Sequence, residues 1–167
     1  NRKKFTWSAW IKRSKLGASQ FLAACSHSSS DEGYLYFNGS DNLCWDSSTS
    51  AHGDLVTQAK YRDPNAWMHI VFSVDTTQAT ASNRMKFYVN GVEPVYATAN
   101  YPNQDTQIYW NVGGSYYARV GRRHASADYF DGYMSHVHGI DGTAYAGSTF
   151  GSTDPTTGEW QINTSPS

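Results

Sequence analysis

The sequence predicts an all-β fold, a two-sheet sandwich or a barrel, on three observations. Short runs rich in Val, Ile, Phe, Tyr and Trp alternate between apolar and polar residues, turn residues punctuate them closely, and almost nothing follows a helical period. Aromatic residues make up 15 % of the chain against 16 % charged residues, and the 14 glycines lie mostly between the apolar runs, a balance that favours strands and turns. The 167 residues are expected to form one domain, residues 1–167, which at this length buries about two-thirds of its unfolded surface without a staple.

Taken in order, the elements follow from alternation. Over 5–11 the set Phe5, Trp7, Ala9 and Ile11 faces one way and Thr6, Ser8 and Trp10 the other, so Trp10 requires cover from a second layer or a ligand. Short strands are expected over 21–26, 33–38 and 42–46, with a weaker one over 55–59. The clearest alternation runs over 67–75, with Met68, Ile70, Phe72 and Val74 on one face and Trp67, His69, Val71 and Ser73 on the other. Residues 84–90 repeat it, and the polar stretch 76–83 links the two as a surface loop. Asn90-Gly91 then marks a hairpin turn, because both residues tolerate positive φ, so a three-strand antiparallel meander is expected here. Further strands fall at 108–112, 118–122 and 129–138. In the last, Met134 and Val137 are both apolar yet three apart, which requires one slip of parity through a β-bulge.

Composition excludes several function classes. With 13 basic and 14 acidic side chains the formal net charge is −1, so no global field collects nucleic acid or anionic membrane. The basic opening, Arg2, Lys3, Lys4, Lys12, Arg13 and Lys15, reads as a solvated face. No apolar run reaches membrane-spanning length and no signal peptide is visible, so membrane insertion is not expected. The chain begins at Asn1 without Met and ends in a loose NTSPS, the ends expected of a piece cut from a longer polypeptide. Cys25 and Cys44 fall on strands with a third strand between them, which separates the thiols by roughly 10 Å and leaves both free.

Three blocks together carry a family likeness: FTWSAWIKR at 5–13, AWMHIVFSVDTTQATASNRMKFYVNG at 66–91 and YFDGYMSHVHGIDGTAYAGSTFGSTDPTTGEW at 129–160. They resemble the concanavalin A-like, laminin G-like jelly-roll domains, and most of all those in structural proteins of marine tailed bacteriophages. The resemblance implies two curved antiparallel sheets that bind carbohydrate or other host-surface groups, often in tail fibres or appendages at the surface of the virion. Other virion proteins are the implied partners, and a homotrimer is the implied assembly of a fibre, although no heptads are present. Gly139 stands where the family usually has a bulky apolar residue, which weakens the apolar side of the closing strand.

The chemistry points to binding more than to catalysis. Glucanase relatives of this fold place two carboxylates on one strand, whereas Glu32, Glu93 and Glu159 fall on three different segments. No G-x-S-x-G elbow occurs. Sugar binding requires flat aromatic faces beside hydrogen-bonding groups. The candidates are Tyr34 and Tyr36 on one face of their strand, Trp45 with Asp46, and Trp110 with Asn111 leading to Tyr116 and Tyr117, whereas Trp7 and Trp67 read as core. His136-x-His138 offers alternate residues of one strand to a metal or to sister chains on a threefold axis, against the simpler reading of two outer-face histidines. Calcium is a further option, with Asp31, Asp41 and Asp105 placed in loops. The expected function is non-catalytic recognition of host-surface carbohydrate. A purely structural virion domain and a polysaccharide-degrading enzyme are the alternatives.

Overall fold

A computed structural model describes residues 1–28, 31–110, 112–123 and 128–166. Among these residues twelve strands are formed: β1 (Lys4–Arg13), β2 (Gln20–Ser28), β3 (Asp31–Phe37), β4 (Asn42–Ser47), β5 (Asp54–Lys60), β6 (Met68–Asp75), β7 (Met85–Val89), β8 (Tyr96–Asn100), β9 (Tyr117–Val120), β10 (Gly132–Asp141), β11 (Gly151–Thr153) and β12 (Trp160–Ile162). They make a four-stranded sheet in the order β10-β1-β6-β7, a six-stranded sheet in the order β8-β5-β4-β3-β2-β9, and a small β11-β12 hairpin. Every pairing is antiparallel. No described helix is long and apolar enough to cross a membrane. The fold is therefore a sandwich, and the barrel alternative falls away.

Alternation on both sheets supplies the core. Phe5, Trp7, Ala9 and Ile11 of β1 and Met68, Ile70, Phe72 and Val74 of β6 meet Leu22, Leu35, Phe37, Leu43, Trp45 and Leu55 of the opposite sheet, all buried. Cys25 and Cys44 are free and buried, with β3 between their strands. The expected bulge is present in β10: Ser8 pairs with His138 but Trp10 with Ser135, so one more residue stands on β10 than on β1. His136 absorbs it with φ +49°.

Three expectations are corrected. Asn90 and Gly91 take φ +49° and +78° and close a tight turn, but only the Val89–Val92 bridge follows. The chain then crosses to the other sheet, where β8 pairs β5, so β6 and β7 form a hairpin without a third strand. Pro94, which lacks an N–H, stands at that crossing. Ile108 and Trp110 belong to an irregular segment in place of a strand, with Ile108 buried and its N–H donating to the Arg2 carbonyl. Arg13 is buried and not part of a solvated face: its guanidinium lies 4.2 Å from the centre of the Phe37 ring and pairs with Asp41 at 2.9 Å.

Trp10 receives the cover it required. His69 stacks on it at 5.4 Å, and Trp160 of the C-terminal hairpin stacks on His69 at 6.0 Å. The Trp160 indole N–H donates to His69 Nδ1 at 3.2 Å, so the ring proton sits on Nε2, 2.8 Å from Ser8 Oγ. Burial, and secondarily His138, pushes the His69 pKa down to about 4, and burial and then Arg2 do the same for His52. Both rings are thus neutral when folded and take up a proton near pH 6.5 when unfolded. Their contribution is full above pH 6.5 and is lost as pH falls towards 4, by roughly 3 kcal/mol for each ring. Thermal melts from pH 7 to pH 4 should show this fall, and His69→Gln should flatten it by about half. An unchanged slope in that variant would refute the assignment to His69.

Candidate functional site

The outward face of the six-stranded sheet aligns a set of half-buried hydrogen-bonding side chains. Because successive strand residues point to opposite faces, the burial of Leu35, Trp45 and Leu55 sends Tyr34, Tyr36, Asp46 and Asp54 outward. Register then aligns them. Arg119, Ala24, Tyr34 and Asp46 lie side by side across β9, β2, β3 and β4. The Trp45–Leu55 pairing sets Asp46 against Asp54, which itself pairs with Asn100 on β8. A second row, Phe21, Tyr36, Cys44, Val56 and Thr98, runs beside the first and is mainly apolar or aromatic.

The two rows are tied together by aromatic contacts and charge. Phe21 stacks on Tyr36 at 5.0 Å, and Tyr34 meets both edge-on at 5.3 Å. The Tyr34 hydroxyl donates to Asp46 Oδ2 at 3.3 Å. The guanidinium of Arg123 lies 4.7 Å from the Tyr34 ring centre and is held there by Glu32, which is buried beneath it. Burial, followed by the charge of Asp46, pushes the Tyr34 hydroxyl up to about 12. Burial raises the Tyr36 hydroxyl too, so both phenols stay protonated donors at neutral pH. Burial and the facing Asp46 charge raise the Asp54 pKa, while Asn100 opposes them. The result is a shallow face with carboxylates at one end and guanidiniums at the other.

The predicted site residues divide between this face and the interior. Tyr36 and Asp46 lie on it, joined by Tyr34. Tyr117 is 61 % exposed at its edge, under the Arg119 guanidinium at 5.1 Å. Trp45 is corrected: it is fully buried, stacks on Phe72 at 4.8 Å and donates its N–H to the His52 carbonyl. Adjacent strand residues point oppositely, so Trp45 and Asp46 never serve one ligand. Trp110 is half-buried: it stacks on Phe5 at 5.0 Å with a 4° interplanar angle against the core and also lines a cleft with Trp7, Ala24, Arg119 and Asp141, beside the outward face. Asn111 lies outside the described residues. Asp54, Arg119 and Arg123 were missed by the sequence reading, and only register across distant strands brings them to the site.

The side chains named for a metal are largely engaged with protein partners. Both Asp41 oxygens are taken, Oδ1 by Arg13 and the Gly17 N–H at 2.9 Å each and Oδ2 by Arg62 at 3.0 Å. Two guanidiniums leave this buried carboxylate no role as a calcium ligand. Asp31 begins β3 and accepts the Tyr109 hydroxyl at 2.9 Å, and Asp105 pairs with Lys3. His136 Nδ1 contacts Ser135 Oγ at 2.7 Å, while the His138 ring packs 5.6 Å from Phe150. Among the described residues no three His, Cys, Asp or Glu side chains are placed to share an ion.

The model of the concanavalin A-like lectin/glucanases superfamily matches residues 1–144. The chain belongs to this superfamily. Solved structures of similar fold include a heptameric SAP-like pentraxin from Limulus polyphemus, at 15 % identity and TM-score 0.60 over 86 % of this chain and 66 % of that one. Domain 4 of AbnA, an extracellular arabinanase of Geobacillus stearothermophilus in complex with arabinotriose, matches at 21 % identity and TM-score 0.59 over 86 % of this chain and 63 % of that one. The CBM40 module of the Ruminococcus gnavus IT-sialidase, bound to α2,3-sialyllactose, matches at 14 % and 0.61 over 87 % and 79 %. The chain thus spans less than two-thirds of the pentraxin and arabinanase structures. At these identities the likeness concerns the fold. No match was found among curated proteins.

Proposed function

We propose that this superfamily member is a non-catalytic carbohydrate-recognition module of a phage virion protein, placed in a tail fibre or appendage that contacts the host surface. The observation that carries the binding role is the pair of rows on the six-stranded sheet. Tyr36, stacked on the buried Phe21, supplies apolar ring surface for the C–H side of a pyranose, and Tyr34, Asp46, Asp54, Asn100, Arg119 and Arg123 supply the donors and acceptors that hydroxyl groups require. Sugar-bound structures of the same fold, one holding arabinotriose and one sialyllactose, support the ligand class. The virion setting and a trimeric assembly rest on the resemblance of the three sequence blocks.

The test is a glycan array followed by titration calorimetry with the best soluble ligand. Asp46→Ala should weaken binding at least about tenfold, the loss expected for hydrogen bonds to a charged acceptor, with little change in melting temperature. Wild-type affinity in that variant would remove the proposed face. The facing carboxylates Asp46 and Asp54 also define the enzymatic alternative, since cross-strand neighbours stand about 5 Å apart, the spacing of a retaining glycosidase. Release of reducing ends from a bound polysaccharide, lost in both Asp46→Ala and Asp54→Ala, would favour that alternative.

A further inference from the structure

The opposite side of the sandwich carries a second aromatic cleft. On the outward face of the four-stranded sheet, Trp10, Trp67, Ser135, His136 and Ile162 line a cleft of about 270 Å³. Trp67 is 43 % exposed, although the sequence read it as core. Its position explains the difference: Met68 points inward against Ile11, so Trp67 and His69 both point outward. Trp10 is half-buried beside it and stacked on His69, and therefore fixed in place.

The lining is mainly apolar, with two polar side chains, Ser135 and His136, at its edge. Ser135 stands opposite Trp10, and the bulge at His136, with its left-handed backbone, turns that ring into the cleft lining. His136 Nδ1 is bonded to Ser135 Oγ, and Nε2 has no protein partner among the described residues. The remaining wall, Ile162, belongs to β12 and is brought there because Trp160, on the same strand, is anchored to His69. The docked C-terminal hairpin thus supplies one wall of the cleft.

We infer that this cleft is a second carbohydrate subsite, which takes one or two pyranose rings with an apolar face. The inference rests on the proposed ligand class but on none of the residues of the first face. Its size falls just below that of ordinary ligand pockets, about 300–1,000 Å³, which suits one or two sugar rings and not a protein segment. An exposed indole beside a fixed one presents the flat surface on which sugar C–H groups stack, and His136 Nε2 and Ser135 supply hydroxyl partners at its edge. Two subsites on opposite faces make the module bivalent, so that a single copy bridges two glycan chains.

The experiment is a nitrogen-15 NMR titration of the full chain with cellopentaose, laminaripentaose, arabinotriose and 3′-sialyllactose, applied to wild type, Trp67→Ala, Trp67→Phe and Asp46→Ala. At least one probe should shift the Trp67 indole and the Ser135 and His136 amides saturably. Trp67→Ala should weaken that binding at least tenfold, Trp67→Phe should restore part of it, and Asp46→Ala should leave it unchanged. Shifts confined to Tyr34, Tyr36 and Asp46 would overturn the second subsite and leave the first standing. Shifts confined to Trp67 and His136 would do the reverse, and no response to any probe would remove both.

Discussion

Asp41→Ala is expected to cost about 3–5 kcal/mol of stability, because it leaves a fully buried guanidinium without its counter-charge. Arg13 is 0 % exposed, with Nη2 on Asp41 at 2.9 Å, Nη1 on the Tyr61 carbonyl at 2.6 Å and Nε on Gln20 at 3.2 Å. Burial lowers the Arg13 pKa from its ordinary value, but a guanidinium does not give up its proton near neutrality. Burial acts to raise the Asp41 pKa, yet the Gly17 N–H, Arg62 and Arg13 together hold it below the usual carboxylate range. This stabilisation is present above the unfolded pKa and is lost as pH falls through the lower folded value. Arg62 is more than half exposed, so Arg62→Ala should cost no more than about 1 kcal/mol. Urea denaturation of the two variants decides the matter. Equal small losses would show that the pair contributes nothing, whereas partial recovery in Arg13→Met/Asp41→Ala would confirm that the stranded charge is what destabilises.

The same residue shows where a sequence becomes difficult to read. Asp41 sits in a loop, which invites a cation, and its true partners lie 28 positions before it and 21 after it. No local pattern connects them. The face assignments were more accessible. Alternation over β6 fixes its inward set, the slip between Met134 and Val137 marks the bulge, and the same parity rule separates Trp45 from Asp46. What parity leaves open is which face is core. The adjacent Asp46 pointed Trp45 towards a ligand and Trp67 read as core, and the structure reverses both: Trp45 is enclosed and Trp67 is exposed. The strand β8, with the small residues of its YATAN sequence, carries no alternation of its own and exists through pairing with β5. Asn100 reaches the candidate face by that pairing, and Asp54 by the pairing of β4 with β5, which is why this part of the polar row was invisible.

Trp45→Ala is the variant that separates the interior from the face, with an expected loss of about 3–5 kcal/mol. The indole fills the space between the sheets against Phe72 and lies so close to β3 that a Cβ built at Gly33 would come within 2.6 Å of its Cη2 atom. The backbone of Gly33 is also hemmed in by the Tyr109 carbonyl, so the surroundings collapse little when the ring is removed. Asp46, one residue on, is half-buried and faces outward, and its loss should barely change the melt. The paired prediction is therefore opposite in its two readouts: Trp45→Ala lowers the melting temperature steeply while its folded fraction keeps ligand affinity, and Asp46→Ala keeps the melt while losing affinity. Calorimetric melts and titrations on both proteins test it. A Trp45→Ala protein that melts like wild type but no longer binds would make the indole a ligand contact and overturn the assignment of the site to the outward face.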